Sequence, residues 1–317
     1  MASTPSGALA YGAPVGGRIP AITRAALMAC DNLLLVHGRI GTLDIYAVAA
    51  MIWGAALYLR RRPVWAGVLI GLGTSAKEVA PYVLFSLVVL EILRWWRDRE
   101  DAPARLGRLA ACGGVSAATF LAALTVMGWI APPYSPQTGK LVPNGPFGHL
   151  AHILSYAAHQ TSPHGPQGIA SYPWAWLIDS KPITYLQINP VHPTAALSHD
   201  SPAVHFIGLI SPPILLLAVP ALLLAARAVV RRRVRYEDDV GLVGLAWFLG
   251  TYLPFVAASL IESRTSYLYY MVIVMPGIYL VVADLVARIG PRRKLVLVWM
   301  AGVVAAAVVL YPFTPLP

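Results

Sequence analysis

The sequence predicts an all-α, polytopic integral membrane protein. Three observations carry that prediction. The 317 residues are 57% hydrophobic and only 12% charged, about half the charge of a soluble domain. Several apolar runs reach about 20 residues, enough to cross a bilayer as a helix. The basic residues are also clustered. Of 24 Lys and Arg, 17 fall within residues 60–62, 94–108, 227–235 and 288–294. Such clusters mark cytoplasmic loops, and they account for the net charge of +10 without any binding of nucleic acid. A membrane β-barrel would show a series of short alternating strands, and the sequence has none.

In chain order, residues 1–20 are rich in Gly, Ala, Pro and Ser and read as a flexible N-terminus. They lack the basic stretch and apolar core of a signal peptide. An apolar helix is expected over 21–37 and a second over 43–59, joined by HGRIGTLD. Residues 60–62 are all Arg and end the second helix inside, so HGRIGTLD lies outside. The stretch 64–93 is apolar but interrupted by Lys77 and Glu78, with Pro81 just beyond. A single span would put two basic clusters on opposite faces. Two short helices hinged near 77–81 keep both clusters inside, and bring Lys77 and Glu78 near the outer face. Interrupted spans of this kind line cavities rather than face lipid.

A further span is expected at about 106–130, completing a first membrane block over 21–130. The polar segment 131–203 then forms a long outer loop. Spans at about 204–227, 240–259, 267–287 and 295–313 make up a second block, 204–317. The total is about nine membrane segments with the C-terminus outside. No internal repeat is visible.

The first block contains the least expected polar residues. CDNLLLVHGRIGTLD, residues 30–44, sets Asp31, His37, Arg39 and Asp44 inside an apolar run. Ionisable groups at that depth mark a functional site by default. The two cysteines, Cys30 and Cys112, stand in apolar segments without metal-ligand spacing and read as buried small residues.

Seven of the eight histidines fall between His149 and His205. His149, His152, Tyr156 and His159 recur on one face of a helix, and Leu150, Ile153, Leu154 and Ala157 take the other. The pattern predicts an amphipathic helix lying on the outer surface. A zinc site is the weaker reading, because no accompanying Cys or Glu completes a ligand set. SYPWAWLIDSKPITYL, residues 171–186, carries two Trp and two Tyr. It fits an interfacial aromatic belt, and it would equally suit a surface that stacks on sugars.

Four blocks, in this order, resemble the protein O-mannosyltransferases, membrane glycosyltransferases of the GT-C class. They are Asp31-Asn32 with Arg39 and Asp44; GLGTSAKEVAPY at 71–82; His159 and His164 followed by Ser171-x-Pro173-Trp174-x-Trp176 and Lys181-Pro182-x-x-Tyr185; and SRTSYLYYMVIVMPGIYL at 263–280. The resemblance covers about 25–290. It implies transfer of mannose, or a related hexose, from a polyprenyl-phosphate carrier to Ser or Thr hydroxyls of secreted proteins. It also implies an inverting reaction with no metal or other cofactor, at the extracytoplasmic face of the plasma membrane. The partners implied are membrane lipid, the polyprenyl-phosphate sugar and a secreted protein acceptor.

The leaving group would be a lipid phosphate, which cations must hold and neutralise. Arg39, Lys77 and Arg264 are the candidates. The acceptor hydroxyl needs a carboxylate base within reach, and Asp44 and Glu78 are the candidates. His159, His164, Trp174, Trp176, Lys181 and Tyr185 would face sugar or acceptor. Asp31 and Asn32 would satisfy polar groups between helices. Against these roles stands structural pairing of Arg39 with Asp31 or Asp44, and of Arg264 with Glu262.

Two departures from the family matter. Lys181 stands where the family has Arg, which keeps the charge but loses the planar fork. The family's first spans and their outer acidic pair have no counterpart here. The acidic runs at 100–101 and 237–239 fall with the inner basic clusters. The expectation is a truncated or split form, completed by a separate N-terminal half or a homologous subunit. The alternatives are the same chemistry on a lipid or cell-wall acceptor, and an inactive membrane remnant or partner protein. A transporter is disfavoured, since it should show matched halves with paired broken helices.

Overall fold

The apolar runs fold as helices. The computed structural model describes residues 18–97, 102–135, 138–188, 204–231, 239–289 and 293–311 of the chain. The first half of the bundle contains α1 (Arg18–Cys30), α2 (Asn32–Ile40), α3 (Leu43–Leu59), α4 (Pro63–Ala76), α5 (Tyr82–Arg97) and α6 (Ala102–Ile130). A connecting region follows with β1 (Tyr134–Ser135), β2 (Lys140–Leu141), α7 (Gly145–Ala158), α8 (Pro173–Trp176), β3 (Ile183–Ile188) and β4 (Val204–Gly208). The chain then returns to helices α9 (Pro212–Val230), α10 (Asp239–Ile261), α11 (Met271–Ile289) and α12 (Arg293–Val309). Each strand pair is an antiparallel two-stranded ladder.

Among the described residues, four helices are long and apolar enough to cross a membrane: Ala102–Ile130, Pro212–Val230, Val240–Ile261 and Leu268–Ile289. A fifth is reached if α2 and α3, bent by 116° at their junction, count as one broken span. This differs from the nine segments the sequence predicts, and the difference is one of length. The helices α1, α2, α4, α5 and α12 have 13, 9, 14, 16 and 17 residues, below the about 20 that cross the hydrocarbon unaided.

Two boundaries also differ. The helix expected over 21–37 breaks at Asp31, which is extended (ψ 121°) and starts α2. Its carboxylate does not cap that helix. It accepts instead from the Ser211 amide at 2.7 Å and the Tyr279 hydroxyl at 2.6 Å. The span expected from 204 begins as strand β4, and its helix starts at Pro212 after Ser211. Proline at a first helical position has no amide proton to lose, so the start falls there naturally.

Side-chain contacts define the helix directions. Tyr58 donates to Glu91 at 3.0 Å, and Arg94 reaches the same oxygen at 3.4 Å. The C-terminal ends of α3 and α5 therefore share one end of the bundle. Asp44 and Lys77 meet at the opposite end. α4 runs parallel to α6, with Gly67 against Cys112 and Gly71 against Ser116. α10 runs antiparallel to α5: Tyr82 stacks on Phe255 at 4.8 Å, and Ser86 donates to the Trp247 carbonyl at 3.2 Å. α11 turns back along α10, with Gly244 against residues 280 and 281. Residues 60–62, Arg94 and Arg288 thus gather at one end, here the basic end.

α11 is the hub. Nearly every side chain from Met271 to Val286 is buried. In an apolar solvent such packing depends on close backbone approach. A methyl group added at Gly277 would lie 2.8 Å from the Gly244 carbonyl oxygen, so the α10–α11 seam depends on that glycine.

Candidate functional site

The end opposite the basic clusters collects the chain's unusual polar residues. The α2–α3 bend begins it. Gly41 ends α2 in the left-handed region (φ 64°), and its amide bonds back to His37. This is a conformation glycine adopts without steric cost. The turn sets Asp44 in the first turn of α3, where the helix dipole favours an acid. α4 ends at Lys77, which is extended and breaks the helix. Its ammonium reaches Asp44 Oδ2 at 2.6 Å. It also lies 5.0 Å from the Tyr269 ring and 5.8 Å from the Tyr270 ring, a favourable place for a cation. Asp44 Oδ1 is buried and without a hydrogen-bond partner.

The long loop docks onto the α10–α11 connection through its backbone. Ser162 N donates to Ser263 O at 2.8 Å, Thr265 N to Gln160 O at 3.0 Å, and Ser171 N to Ser266 O at 2.8 Å. This places Arg264 under the C-terminal end of α7. One of its guanidinium nitrogens donates to the Ala157 carbonyl at 3.3 Å, where the helix dipole also favours a cation. Arg264 makes no ion pair with Glu262 or any other described residue.

Between these parts lies a cavity of about 470 Å³, a size common for ligand sites. Lys77, Glu78 and Arg264 are in its wall, with Tyr267, Tyr269 and Tyr270 from the turn before α11. His152 and Tyr156 close it from α7, with Gln160 just past the end of that helix. The Glu78 side chain is exposed and has no ion pair or hydrogen bond among the described residues. Two cations, one free carboxylate and three phenol rings therefore share one wall.

Three of the residues singled out in the sequence converge on this cavity: Lys77, Glu78 and Arg264. Asp44 stands behind Lys77, buried and ion-paired, and is not in the wall. Arg39 does not join them. It is exposed at the end of α2, with its guanidinium 5.3 Å from the Tyr311 ring, and it pairs with neither Asp31 nor Asp44. His159 ends α7, its Nδ1 2.6 Å from Ser155 O, and His164 is exposed. Trp176 is buried, with Nε1 donating to Ser171 Oγ at 2.9 Å and its ring against Phe255 and Tyr252. Trp174 is half exposed and stacked on Tyr172 at 4.5 Å. Lys181 donates to Ala170 O at 2.8 Å.

The remaining polar residues knit the loop to the bundle. Tyr185 OH is hydrogen bonded to His37 Nε2 at 2.8 Å, and His37 Nδ1 to Thr42 Oγ1 at 2.9 Å. Burial, with the Asp44 charge adding to it, pushes the Tyr185 phenol up to about 12, so it stays protonated. Asn32 donates to Ile207 O at 2.7 Å. Asp179 accepts from the Ile210 amide at 3.0 Å, next to the Ser211 amide held by Asp31. Among the described residues, no three His, Cys, Asp or Glu side chains group as metal ligands. Glu100, Asp101, Glu237 and Asp238 lie outside the described residues.

The expected amphipathic helix is present as α7, but its roles are divided differently. His152 and Tyr156 face the cavity together with Ile153 and Ala157 from the supposed apolar face. Leu154 is exposed. The sequence reading assigned no role to Gln160, Thr265 or the three tyrosines. The i, i+4 spacing of His152 and Tyr156 marks the face of α7 that meets the cavity, whereas Gln160 lies past the end of the helix, where helical spacing gives no signal. The chain matches no family model, no curated protein and no solved structure.

Proposed function

We propose that the chain is a membrane glycosyltransferase of the GT-C class, akin to the protein O-mannosyltransferases. It moves mannose or a related hexose from a polyprenyl-phosphate carrier to a Ser or Thr hydroxyl of a secreted protein. The observation that carries this reading is the cavity wall, where Lys77, Arg264 and an unpaired Glu78 meet at the end opposite the basic clusters. With the basic end in the cytoplasm, the cavity opens on the extracytoplasmic face. The shorter helices α1, α4, α5 and α12 then complete about nine membrane segments by packing against the long ones.

The chemistry follows from the wall. Arg264 spends one contact on the Ala157 carbonyl and keeps the rest of its five donors for the phosphate oxygens. Lys77 adds a second positive charge, held in place by Asp44. Both cations act most strongly as the phosphate departs and its charge grows. Glu78 is the base. It takes the proton from the acceptor hydroxyl as the oxygen bonds to the sugar's anomeric carbon and the carbon–phosphate oxygen bond breaks. Asp44 is less suited to that role, because it is buried behind Lys77. Arg39, over Tyr311, takes no part at the phosphate.

The test is transfer in nanodiscs from polyprenyl-phosphate mannose to a Ser/Thr-rich peptide. Arg264→Ala is expected to lower transfer about ten- to a hundredfold, matching about 1.5–3 kcal/mol for a hydrogen bond to a charged group. Equal transfer by Arg264→Ala and the unaltered chain would defeat the assignment of the phosphate to this wall.

A further inference from the structure

Beside the large cavity is a second cleft of about 60 Å³. The two share Arg264 and Thr265 as a common wall. Their linings differ in kind. No carboxylate and no lysine lines the small cleft. Hydroxyls do, from Ser162, Ser171, Ser259 and Ser266 as well as Thr265.

These hydroxyls are partly used. Ser162 and Thr265 share one hydrogen bond at 2.6 Å, which consumes one of their two O–H donors. Ser259 and Ser266 pair at 3.1 Å, and Ser266 also reaches the Arg264 carbonyl at 3.4 Å. Ser171 Oγ accepts from Trp176 Nε1, and its own O–H has no acceptor among the described residues. Ser171 is 5% exposed. A buried donor left over is costly unless a ligand supplies an oxygen. Spare O–H donors beside one guanidinium call for oxygen acceptors, and with Arg264 given to the phosphate in the large cavity, a carbonyl or a hydroxyl is what remains for the hydroxyls.

Size narrows the ligand further. The cleft holds roughly what two waters occupy in the liquid. The side chain of Ser, Thr or Ala suits a cleft of this size, and a hexose suits the large cavity, with its about 470 Å³. Glu78 lines the large cavity and not the cleft, so the reacting hydroxyl belongs in the large cavity.

We infer that the small cleft seats a small side chain of an extended polypeptide acceptor, one or two residues from the hydroxyl that reacts. This rests on the transferase reading above and adds its acceptor rule. Extended residues advance about 3.3 Å each, so a neighbour reaches the cleft across the shared Arg264–Thr265 wall. Residues larger than Thr at that place are rejected by volume.

The experiment pairs two readouts on the full chain in nanodiscs: peptide binding in the presence of polyprenyl phosphate, and transfer from polyprenyl-phosphate mannose. One peptide series keeps a single Thr and varies its neighbours from Ala and Ser to Leu and Trp. The unaltered chain is expected to favour small neighbours about tenfold, the scale on which a pocket resolves added methylenes. Ser162→Leu, which fills the cleft, is expected to weaken binding of the small-neighbour peptide to the level of the Leu peptide. Size-dependent binding without transfer keeps the cleft and overturns the transferase reading. Transfer that ignores neighbour size, or that runs to a lipid acceptor alone, overturns the cleft and keeps the transferase. No peptide binding at all overturns the cleft. The peptide series on the unaltered chain decides the matter even if Ser162→Leu fails to fold.

Discussion

Two polar groups lie in the same apolar bundle and are treated in opposite ways. At Asp31 both carboxylate oxygens are satisfied. One carboxylate oxygen accepts from Ser211 N and the other from Tyr279 OH, and Asn32 ties the same junction to Ile207. Around the cavity, demands are left open. Asp44 keeps one buried oxygen without a partner, and among the described residues Glu78 is unpaired and the Arg264 side chain makes a single long hydrogen bond. A closed network holds helices together. An open one is stable only where water or a ligand completes it. The contrast lies between the two carboxylates and is not one of burial, since Asp31 and Asp44 are both buried.

That contrast can be broken most sharply at Glu78. Glu78→Gln is expected to lower transfer about 10²- to 10⁴-fold, the usual worth of a general base, with the melting temperature unchanged because the side chain is exposed and unpaired. Transfer within threefold or so of the unaltered chain would remove Glu78 from the base role and return attention to Asp44.

Asp31 should behave in the opposite manner. Asp31→Ala leaves two buried donors without acceptors, at about 1–3 kcal/mol each. Thermal unfolding in nanodiscs is expected to show a loss of about 2–6 kcal/mol, partly restored in Asp31→Asn. An unchanged melting temperature would mean that water or neighbouring groups satisfy Ser211 and Tyr279, and the scaffold assignment would fall.

The smallest effect is a slope with pH. Burial is the main cause that raises the Asp179 carboxyl to about 7, with the Asp31 charge adding and the Ile210 amide opposing. A carboxyl raised in the folded state binds its proton more tightly there than in the unfolded chain. Its contribution to stability is therefore full below about pH 4 and is lost as pH rises to about 7. The unaltered chain should lose more stability over that window than Asp179→Asn. Parallel curves for the two would show that Asp179 titrates alike in both states.

Much of the architecture was legible from order and composition. Apolar runs of 17 residues or more at 43–59, 106–130 and 240–259 became helices because no charge falls in their interiors, the last despite Pro254 inside it. The interruption at Lys77 and Glu78 was visible for the same reason. The break at Asp31 was not, since an aspartate between two apolar runs reads equally as a buried helical residue. What settles it is the pair of donors from positions 211 and 279, about 180 and 248 residues away. The strand β4 was mistaken for the start of a span because hydropathy does not distinguish an apolar strand from an apolar helix. Pro212 and Pro213 were the overlooked boundary.

The candidate site divides along the same line. Hydropathy and charge by themselves determined that the chain is helical and suited to a membrane. They also placed the arginine clusters at one end and the rare intrahelical ions apart from them. Those properties depend on local periodicity and on the cost of burying charge, both of which act residue by residue. Only the tertiary structure decided which ions meet. It joined Lys77 to Asp44 across 33 residues and brought Arg264 beneath α7. It sent Arg39, equally promising in the sequence, to Tyr311 instead. Such meetings depend on helix packing and on the docking of a long loop, and no local pattern in the chain encodes either.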